Sequence, residues 1–337
     1  MTIKIQSTTR LWVGIDIAKA TFQMALWGHE DIRPMRVASF NRNRQGCKKA
    51  LAWLRKEAPE GALVGVVMEA TGALAEETAN WLVALDPTLH IAIVNPIQTS
   101  AFIRSLGLRN KTDDLDAKAL AQYGTQRKPD AWMPMPLEFQ ILRELTRTRT
   151  DLLRARTAMM LRLKDHKRAM TLIPQAMRAV IRTLDTQIAK LDGAIRDHVE
   201  AHQTLEAQTQ IGQSIKGIGL VTAVTVLAEV GDLRRFPRSR QLTAFAGLSP
   251  RQHLSGTSVH GRSPMCKRGS GRVRAALFMA AVCAVRFNPD MAEVYNRLIE
   301  RGKHKRVALG AVMRKLLVTM RALVIADKHW QPKAATA

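Results

Sequence analysis

The chain is poor in acidic residues and in cysteine, and it lacks long apolar runs. It has 28 Asp and Glu against 52 Lys and Arg in 337 residues, a formal net charge of +24. A protein this basic usually has a polyanionic partner, and nucleic acid is a better candidate than a membrane surface. No window of about 18 uninterrupted apolar residues is present, which argues against a transmembrane helix. The first residues, MTIKIQSTTRLWVG, lack the apolar stretch of a secretory signal.

Two further absences narrow the class of protein. The three cysteines, Cys47, Cys266 and Cys283, are far apart and do not have the spacing of zinc ligands. They favour a reducing compartment, so we expect a cytoplasmic protein without a zinc site. A Gly-x-x-x-x-Gly-Lys-Ser/Thr phosphate loop is also missing. That absence, together with a large basic C-terminal half, disfavours a sugar-kinase-like phosphotransferase.

The positive charge is concentrated near the C-terminus. Residues 233–315 contain 18 Lys and Arg but only three acidic residues. The alternative to a binding surface is a solvated, solubilising face. Such an excess would repel itself without a counter-charge, so we favour contact with nucleic acid.

Four acidic residues stand out against this basic background. Asp16 and Glu69 each end a short apolar run that reads as a buried strand. Asp113 and Asp116 are three residues apart in a helical pattern, which places both on one helix face. Carboxylate oxygens are the ligands that Mg²⁺ prefers, and such sites serve phosphodiester chemistry. The alternative is helix capping or surface ion pairs, for example between Asp16 and Lys19.

The first part of the chain, residues 10–130, predicts an α/β domain. The predicted strands are 11–16, 21–27, 35–40, 62–69 and 90–94, and the predicted helices are 43–57, 72–85, 97–106 and 113–125. Three closely spaced strands indicate an antiparallel meander, and the later strands are separated by helices, which indicates parallel crossovers. This is the element order of a ribonuclease H-like, or RuvC-like, domain.

The remainder of the chain predicts mainly helices. A proline-containing linker at 132–136 precedes a helical coiled-coil or oligomerisation region at 137–210. We expect a mainly α C-terminal domain at 211–328, followed by a disordered tail at 329–337.

The C-terminal domain contains two candidate binding segments. A turn around Lys216, Gly217 and Gly219 resembles a helix-hairpin-helix element, which grips the nucleic-acid backbone, although plain turn chemistry also gives Gly-x-Gly between helices. Further on, a polar loop precedes the basic residues that lead into a helix at 275–287. The serines in and around this loop cannot be distinguished by composition, and they are Ser249, Ser255, Ser258, Ser263 and Ser270.

With these segments identified, the chain resembles the insertion-sequence transposases that join an N-terminal DEDD, RuvC-like domain to a C-terminal domain with a catalytic serine. These enzymes are the bridge-RNA-guided recombinases. The matching segments occur in the family's order and are Gly14–Lys19, Met68–Gly72, Asn95–Pro96, Lys111–Ala117, Ile215–Gly219, Gly247–Pro250, Ser255–Gly256 and Lys267–Arg272.

The resemblance implies roles for individual residues. It makes Asp16, Glu69, Asp113 and Asp116 the DEDD site for Mg²⁺, and Ser255 the nucleophile. It also implies a homo-oligomer, a dimer or tetramer, that acts on donor and target DNA under the direction of a structured guide RNA. The candidate nucleic-acid-binding residues are Lys216, Gly217, Gly219, Arg251, Arg262, Lys267, Arg268, Arg272 and Arg274.

The function predicted from the sequence is therefore a transposase that cuts and rejoins DNA through a phosphoserine intermediate with the help of Mg²⁺. One alternative is a metal-dependent nuclease or junction resolvase that hydrolyses DNA with water. A second is an architectural nucleic-acid-binding protein without catalysis. The nuclease would cut DNA without becoming covalently attached to it, unlike the transposase. The architectural protein would bind nucleic acid in a salt-dependent way even after loss of the acids.

Overall fold

The computed structural model divides the chain into two compact units, residues 1–134 and 135–337. It describes residues 11–27, 36–59, 61–107, 112–165, 172–250 and 265–332, together with the backbone of residues 254–255 and 259–260.

The first unit is built on a five-stranded sheet. Its strands are β1 (Leu11–Ile17), β2 (Thr21–Trp27), β3 (Arg36–Asn41), β4 (Val64–Glu69) and β5 (His90–Val94). The order across the sheet is β3-β2-β1-β4-β5. β1, β2 and β3 are antiparallel, whereas β4 and β5 continue the sheet parallel to β1. The meander and the parallel crossovers predicted from the sequence are confirmed, and each strand lies within two residues of its predicted bounds.

Four helices accompany this sheet, close to their predicted positions. They are α1 (Arg44–Glu57), α2 (Ala73–Leu85), α3 (Pro96–Ser105) and α4 (Asp113–Arg127). Side-chain caps fix three of the starts, because the side chains of Asn43, Asn95 and Thr112 each accept a hydrogen bond from a backbone N–H in the first turn.

Helix α4 lies directly on β1, and two glycines permit this contact. A Cβ on Gly14 of β1 would lie 2.0 Å from the Ala117 carbonyl oxygen and 2.4 Å from the Ala121 amide nitrogen. A Cβ on Gly124, near the end of α4, would lie 2.7 Å from the Trp12 ring. The helix therefore packs against bare backbone on β1, which sets both its distance from the sheet and its direction.

The second unit is mainly helical. Its helices are α5 (Leu137–Asp165), α6 (Leu172–Glu200), α7 (Gln203–Ser214), α8 (Leu220–Val230), α9 (Ser239–Phe245), α10 (Gly271–Phe287), α11 (Pro289–Glu300) and α12 (Lys305–Ala326). A short hairpin of β6 (Leu254–Ser255) and β7 (Val259–His260) lies between α9 and α10. The core of this unit is formed mainly by α7, α8, α10 and α12, with the first turns of α5 and the last turns of α6 packed against it.

Helices α5 and α6 form an antiparallel hairpin that is tied by ion pairs. Arg149 pairs with Asp192, and Arg156 pairs with Asp185. The two arginines are seven residues apart on α5, and their partners are seven residues apart on α6 in the opposite order. This spacing is what two antiparallel helices require. The helical region predicted from apolar spacing in this part of the sequence is confirmed.

The C-terminal segment is anchored further along than predicted. Trp330, inside the predicted tail at 329–337, donates its backbone N–H to Ser214 Oγ at 2.8 Å, and its side chain packs against the core of the second unit. Residues 333–337 lie outside the described residues. Within the described ranges, no single helix is long and apolar enough to cross a membrane. Helices α10 and α11 reach that length together, but they are bent by 96° at their junction.

We predict that Gly14→Ala destabilises the first unit by about 3 kcal/mol, because the new methyl group collides with the α4 backbone and not with a movable side chain. Urea unfolding followed by circular dichroism measures the change. The matched control is Gly193→Ala in α6, where a Cβ meets nothing within 4 Å. That substitution should raise stability by about 0.5–1 kcal/mol. Equal effects of the two substitutions would contradict a specific contact at Gly14.

Candidate active site

Two of the four predicted carboxylates lie side by side at the ends of neighbouring parallel strands. Ile15 on β1 is in register with Met68 on β4, so the next residues, Asp16 and Glu69, are adjacent across the sheet. Asp16 follows Gly14 by two residues and therefore shares its face, which is the face covered by α4. Both residues are half-buried.

The other two carboxylates lie in the first turn of α4. Thr112 begins the helix, and its side-chain oxygen accepts a hydrogen bond from the Leu115 N–H at 3.3 Å. Asp113 is exposed and Asp116 is half-buried. Acidic residues at this end are favoured by the helix dipole, which accounts for part of their presence without any ligand. Because α4 is pressed onto β1, its first turn also brings these acids toward Asp16.

The electrostatics at Asp16 show that the four acids share one region. Burial raises the pKa of the Asp16 carboxyl to about 6, with further increases from the negative charges of Asp116 and Asp113 and a smaller one from Glu69. A hydrogen bond from the Ile17 backbone opposes this shift without cancelling it. Holding the ionised Asp16 carboxylate beside these negative charges lowers stability, and a cation would relieve the repulsion.

Ion pairs with described residues do not neutralise these acids. Across the described ranges, no lysine or arginine forms an ion pair with Asp16, Glu69, Asp113 or Asp116. The alternative of a partner at Lys19 therefore finds no support in the structure. Arg42 donates to the Lys19 carbonyl oxygen and pairs with Glu77.

The chemistry of this carboxylate set fits a divalent cation, although the side chains are not closed around one. All four donors are hard oxygens, as Mg²⁺ prefers. Among the described residues, however, no three His, Cys, Asp or Glu side chains stand close enough together to hold an ion. Asp113 is exposed. The carboxylates of Asp113, Asp116 and Glu69 thus repel that of Asp16, and a bound cation would reduce this repulsion.

The loop that carries the predicted serine is anchored at its base in the second unit. Cys266 donates its N–H to the Ser249 carbonyl oxygen at 2.8 Å, and Lys267 donates to that of Gly247 at 3.1 Å. A backbone bridge between Pro250 and Met265 closes the same pair of segments. Ser255 lies in β6 opposite Val259. The Ser255 side chain lies outside the described residues, as do Arg251 and Arg262.

Two predicted basic residues have internal partners at this base. Arg274 Nη1 donates to the carbonyl oxygens of Ala246 at 3.1 Å and Gly269 at 2.9 Å, so this guanidinium joins the two segments. Arg272 lies 3.6 Å from Asp151. Lys267 and Arg268 are exposed, and Lys267 has a left-handed backbone with φ of 55°. Lys267 and Arg268 are therefore more accessible to a ligand than the partnered Arg272 and Arg274.

A buried carboxylate beside this base was not predicted from the sequence. Glu229 on α8 accepts hydrogen bonds from Arg147 Nε at 2.7 Å and Arg147 Nη2 at 3.1 Å, and from Ser270 Oγ at 3.2 Å. The pKa of the Glu229 carboxyl is lowered overall. Burial raises this pKa, but the hydrogen bonds and charge of Arg147 outweigh that effect, with smaller contributions from Ser270 and Arg272. The sequence signal was present, since Glu229 is the one charged residue in the apolar segment LVTAVTVLAEV.

Ser270 connects this carboxylate to helix α10. Its Oγ accepts the Val273 N–H at 3.3 Å and thereby caps α10 while donating to Glu229. The chain from Arg147 through Glu229 to Ser270 therefore links α5, α8 and the start of α10. Of the five serines that composition left open, Ser270 has a structural role.

The predicted helix-hairpin-helix turn joins α7 to α8. Gly217 has φ of 105°, and a Cβ there would lie 2.6 Å from the Ala284 side chain, so only glycine allows the turn to sit on α10. Asn288 Nδ2 holds the turn by donating to the Lys216 carbonyl oxygen at 3.1 Å. Lys216 and Gly219 are exposed, which leaves the start of α8 open to solvent.

Comparison with known proteins gives consistent results for both parts of the chain. Residues 13–170 match the model of the DEDD transposase domain of IS110 elements, and residues 210–296 match the model described as "Transposase IS116/IS110/IS902 family". The chain is similar to the pilin gene-inverting proteins of Moraxella lacunata and Moraxella bovis, with 31% and 30% identity over 94% of this chain and 96% of each relative. It is 28% identical to the transposase of insertion sequence element IS1111A from Coxiella burnetii, over 81% of this chain and 78% of that protein.

We predict that Asp16→Asn raises the melting temperature of the metal-free protein at pH 8 by roughly 2–4 °C, because it removes a carboxylate repelled by its neighbours. The raised pKa means that the folded state binds more protons than the unfolded state between about pH 4 and 6. The protonated Asp16 carboxyl therefore contributes to the free energy of unfolding at low pH, and this contribution is lost as the pH rises through about 6.

The same pair of proteins tests the cation. Mg²⁺ should raise the melting temperature of the unsubstituted protein at pH 8, and the increase should be smaller for Asp16→Asn. Thermal unfolding with and without the ion measures both effects. Asp114→Asn is the matched control, since Asp114 lies in the same turn but does not contribute to the pKa of Asp16. Equal Mg²⁺ effects in all three proteins would contradict a cation site at Asp16.

We predict that Glu229→Gln destabilises the second unit by about 1–3 kcal/mol, because it removes the negative charge that accepts two hydrogen bonds from Arg147. The value is below that for a fully buried pair, since the Arg147 side chain is 43% exposed. The lowered pKa makes this contribution present at neutral pH and lost as the pH falls below the usual range of a glutamate. Urea unfolding at pH 7 and pH 3.5 should show a larger difference between the two proteins at pH 7 than at pH 3.5. A difference that persists unchanged at pH 3.5 would contradict the ionic origin.

Proposed function

Because the chain belongs to the IS110/IS116 family of transposases, we propose that it cuts and rejoins donor and target DNA through a covalent phosphoserine intermediate. The observation that carries the proposal is the group of mutually repelling carboxylates on β1, β4 and α4, which have no cationic partner among the described residues. The proposed attack of Ser255 on DNA is supported by the anchored base of its loop and by the concentration of positive charge in that part of the sequence.

Ser255 is the proposed nucleophile. Its hydroxyl loses a proton, its oxygen forms a bond to the scissile phosphorus, and the bond from that phosphorus to a sugar oxygen breaks. The departing sugar oxygen takes up a proton, which leaves one DNA end as a free hydroxyl and the other attached to the protein. A hydroxyl of a second strand then reverses these steps. The phosphodiester energy is retained in the intermediate, so rejoining needs no nucleoside triphosphate.

Asp16, Glu69, Asp113 and Asp116 are the residues that would hold Mg²⁺. A bound ion of this kind supplies positive charge to the oxygens around the reacting phosphorus. The contribution of the chain is to hold four acids at one sheet edge in spite of their repulsion. The contact of α4 with Gly14 keeps the first turn of that helix, with two of the acids, beside the strand ends.

The basic residues near the loop are proposed to bind the nucleic-acid backbone. Lys267 and Arg268 are exposed and would contact phosphates directly. Arg272 and Arg274 also shape the base of the loop through Asp151 and through backbone carbonyl oxygens. The open start of α8, with Lys216 and the glycine turn, would contribute a further phosphate contact.

A structured guide RNA and a homo-oligomer complete the proposal. Both rest on the family resemblance, supported by the net charge of +24, which exceeds what a solubilising surface needs. The positive charge does not distinguish RNA from DNA, because both present the same phosphate backbone.

Hydrolytic cleavage is the second candidate mechanism, and one comparison disfavours it. The pilin gene-inverting proteins match this chain over nearly their whole length. Inverting a gene requires that every cut end be joined again. A hydrolytic nuclease leaves ends that must be sealed by another enzyme, whereas a covalent intermediate allows rejoining within one active site.

We predict that Ser255→Ala abolishes the covalent adduct and strand exchange while leaving nucleic-acid affinity within about twofold, because the hydroxyl is small and carries no charge. Purified protein, Mg²⁺, the element's RNA transcript and labelled donor and target DNA are mixed and separated on a denaturing gel. Ser258→Ala, three residues away in the same loop, is the matched control and should retain the adduct.

The outcomes separate the two mechanisms. An adduct that disappears only in Ser255→Ala supports the phosphoserine intermediate. Cleaved DNA without an adduct in any of the three proteins would favour hydrolysis, and normal recombination by Ser255→Ala would remove Ser255 from the mechanism.

A further inference from the structure

The outer part of the α5–α6 hairpin lacks a closed core. We call residues 147–165 and 172–187 the distal arm. Not one of its described side chains is buried, whereas α5 buries Phe139, Leu142 and Thr146 before this segment and α6 buries Ile188 after it. From Thr146 to Asp165 the helix rises about 28 Å at 1.5 Å per residue. The distal arm therefore extends well beyond the last side chain of α5 that is buried in the core.

The two helices of the distal arm enclose a groove of about 590 Å³. Its apolar part is formed by Met160, Leu163 and Ile181, and the Met160 side chain is 37% exposed. A groove of this volume between two helices leaves apolar surface in contact with water, which is unfavourable. Something that covers the groove would stabilise the arm.

The remainder of the groove is cationic. Arg156, Lys164, Arg178 and Arg182 line it, and no acidic residue does. Arg156 pairs with Asp185, but the other three cations form no ion pair with any residue that the structure describes. Arg178 and Arg182 are four residues apart on one face of α6 and therefore present two neighbouring positive charges.

The charge of the whole distal arm has the same sign. Its described residues include eight Lys and Arg and three acidic residues, a net charge of +5. Unpaired cations around a concave surface raise the positive potential inside it, which attracts a polyanion. A second copy of the arm would bring an equally positive groove into contact with this one, so charge complementarity disfavours self-association through the groove.

We propose that the groove of the distal arm binds the sugar–phosphate backbone of a nucleic acid. Phosphates would lie against Arg178, Arg182 and Lys164, and the sugar edges would cover the apolar floor. This site is separate from the serine loop and from the four carboxylates. Binding at this site requires no strand exchange, so the proposal can be tested independently of the proposed catalytic chemistry.

The test compares two double substitutions that remove the same charge. Arg178→Gln with Arg182→Gln removes two groove cations, whereas Arg162→Gln with Lys190→Gln removes two exposed cations of the same hairpin that do not line the groove. The affinity of each full-length protein for labelled duplex DNA, and separately for the element's RNA transcript, is measured by fluorescence anisotropy across a range of salt concentrations. All four positions are exposed, and thermal unfolding verifies that both proteins remain folded.

The groove substitutions should weaken binding of the nucleic acid that occupies the groove by roughly tenfold at 0.1 M salt, and reduce the slope of log affinity against log salt by about 1.8 for a duplex or 1.4 for a single strand. The control substitutions should change the affinity by less than about threefold. A loss with DNA alone or RNA alone identifies the occupant.

Two outcomes would overturn the proposal. Equal losses from both double substitutions would mean that only net charge matters. Unchanged affinity, combined with altered self-association in sedimentation velocity, would assign the groove to a second copy of the chain. Because the readout is binding, failure of Ser255 chemistry would leave this result unaffected.

Discussion

The candidate metal site depends on the contact between a helix and a strand that has no side chain at the point of crossing. Gly14 lets α4 approach β1 until the Ala117 carbonyl oxygen lies 2.0 Å from where a Cβ would be. Asp16 follows Gly14 by two residues, and Asp116 precedes Ala117 by one. The residues that form the contact thus fix the acids beside them. The distance between the carboxylates is set by backbone packing, which does not yield to electrostatic repulsion as a surface loop would.

A different interaction organises the second unit. The bidentate pair of Arg147 and Glu229 joins the first turns of the α5–α6 hairpin to α8, and Ser270 extends it to the start of α10. The base of the serine loop lies at the same place, since Ser270 follows Gly269 and Arg274 donates to the Gly269 carbonyl oxygen. The Glu229 carboxylate therefore connects α5 to the helix that follows the loop. In this way the arm and the loop share one rigid support.

The sequence was most informative where the signal was local. Strand bounds, the helix bounds at 43–57 and 113–125, and carboxylates at strand ends all depend on residues close together in the chain, and the structure agrees with them. It was least informative for partners distant in sequence. Glu229 and Arg147 are 82 residues apart, and Arg274 was predicted as a ligand for nucleic acid although its Nη1 holds two carbonyl oxygens. Gly217 was predicted from turn chemistry, but its close approach to Ala284 requires knowledge of where α10 lies.

The contrast between Asp16 and Glu229 supports the functional assignment. Both are carboxylates withdrawn from water in a chain with 52 Lys and Arg. For Glu229 the chain supplies an arginine and a hydroxyl, and the pKa is lowered. For Asp16 burial, together with the charges of three more acids, raises the pKa to about 6. Arginine is abundant enough to have paired with Asp16, as it does with Glu77 and Asp86 elsewhere in the same unit. Among the described residues, the half-buried Asp16 therefore has acids as its charged neighbours and no ion-pair partner, and carboxylate oxygens are the ligands that a divalent cation prefers.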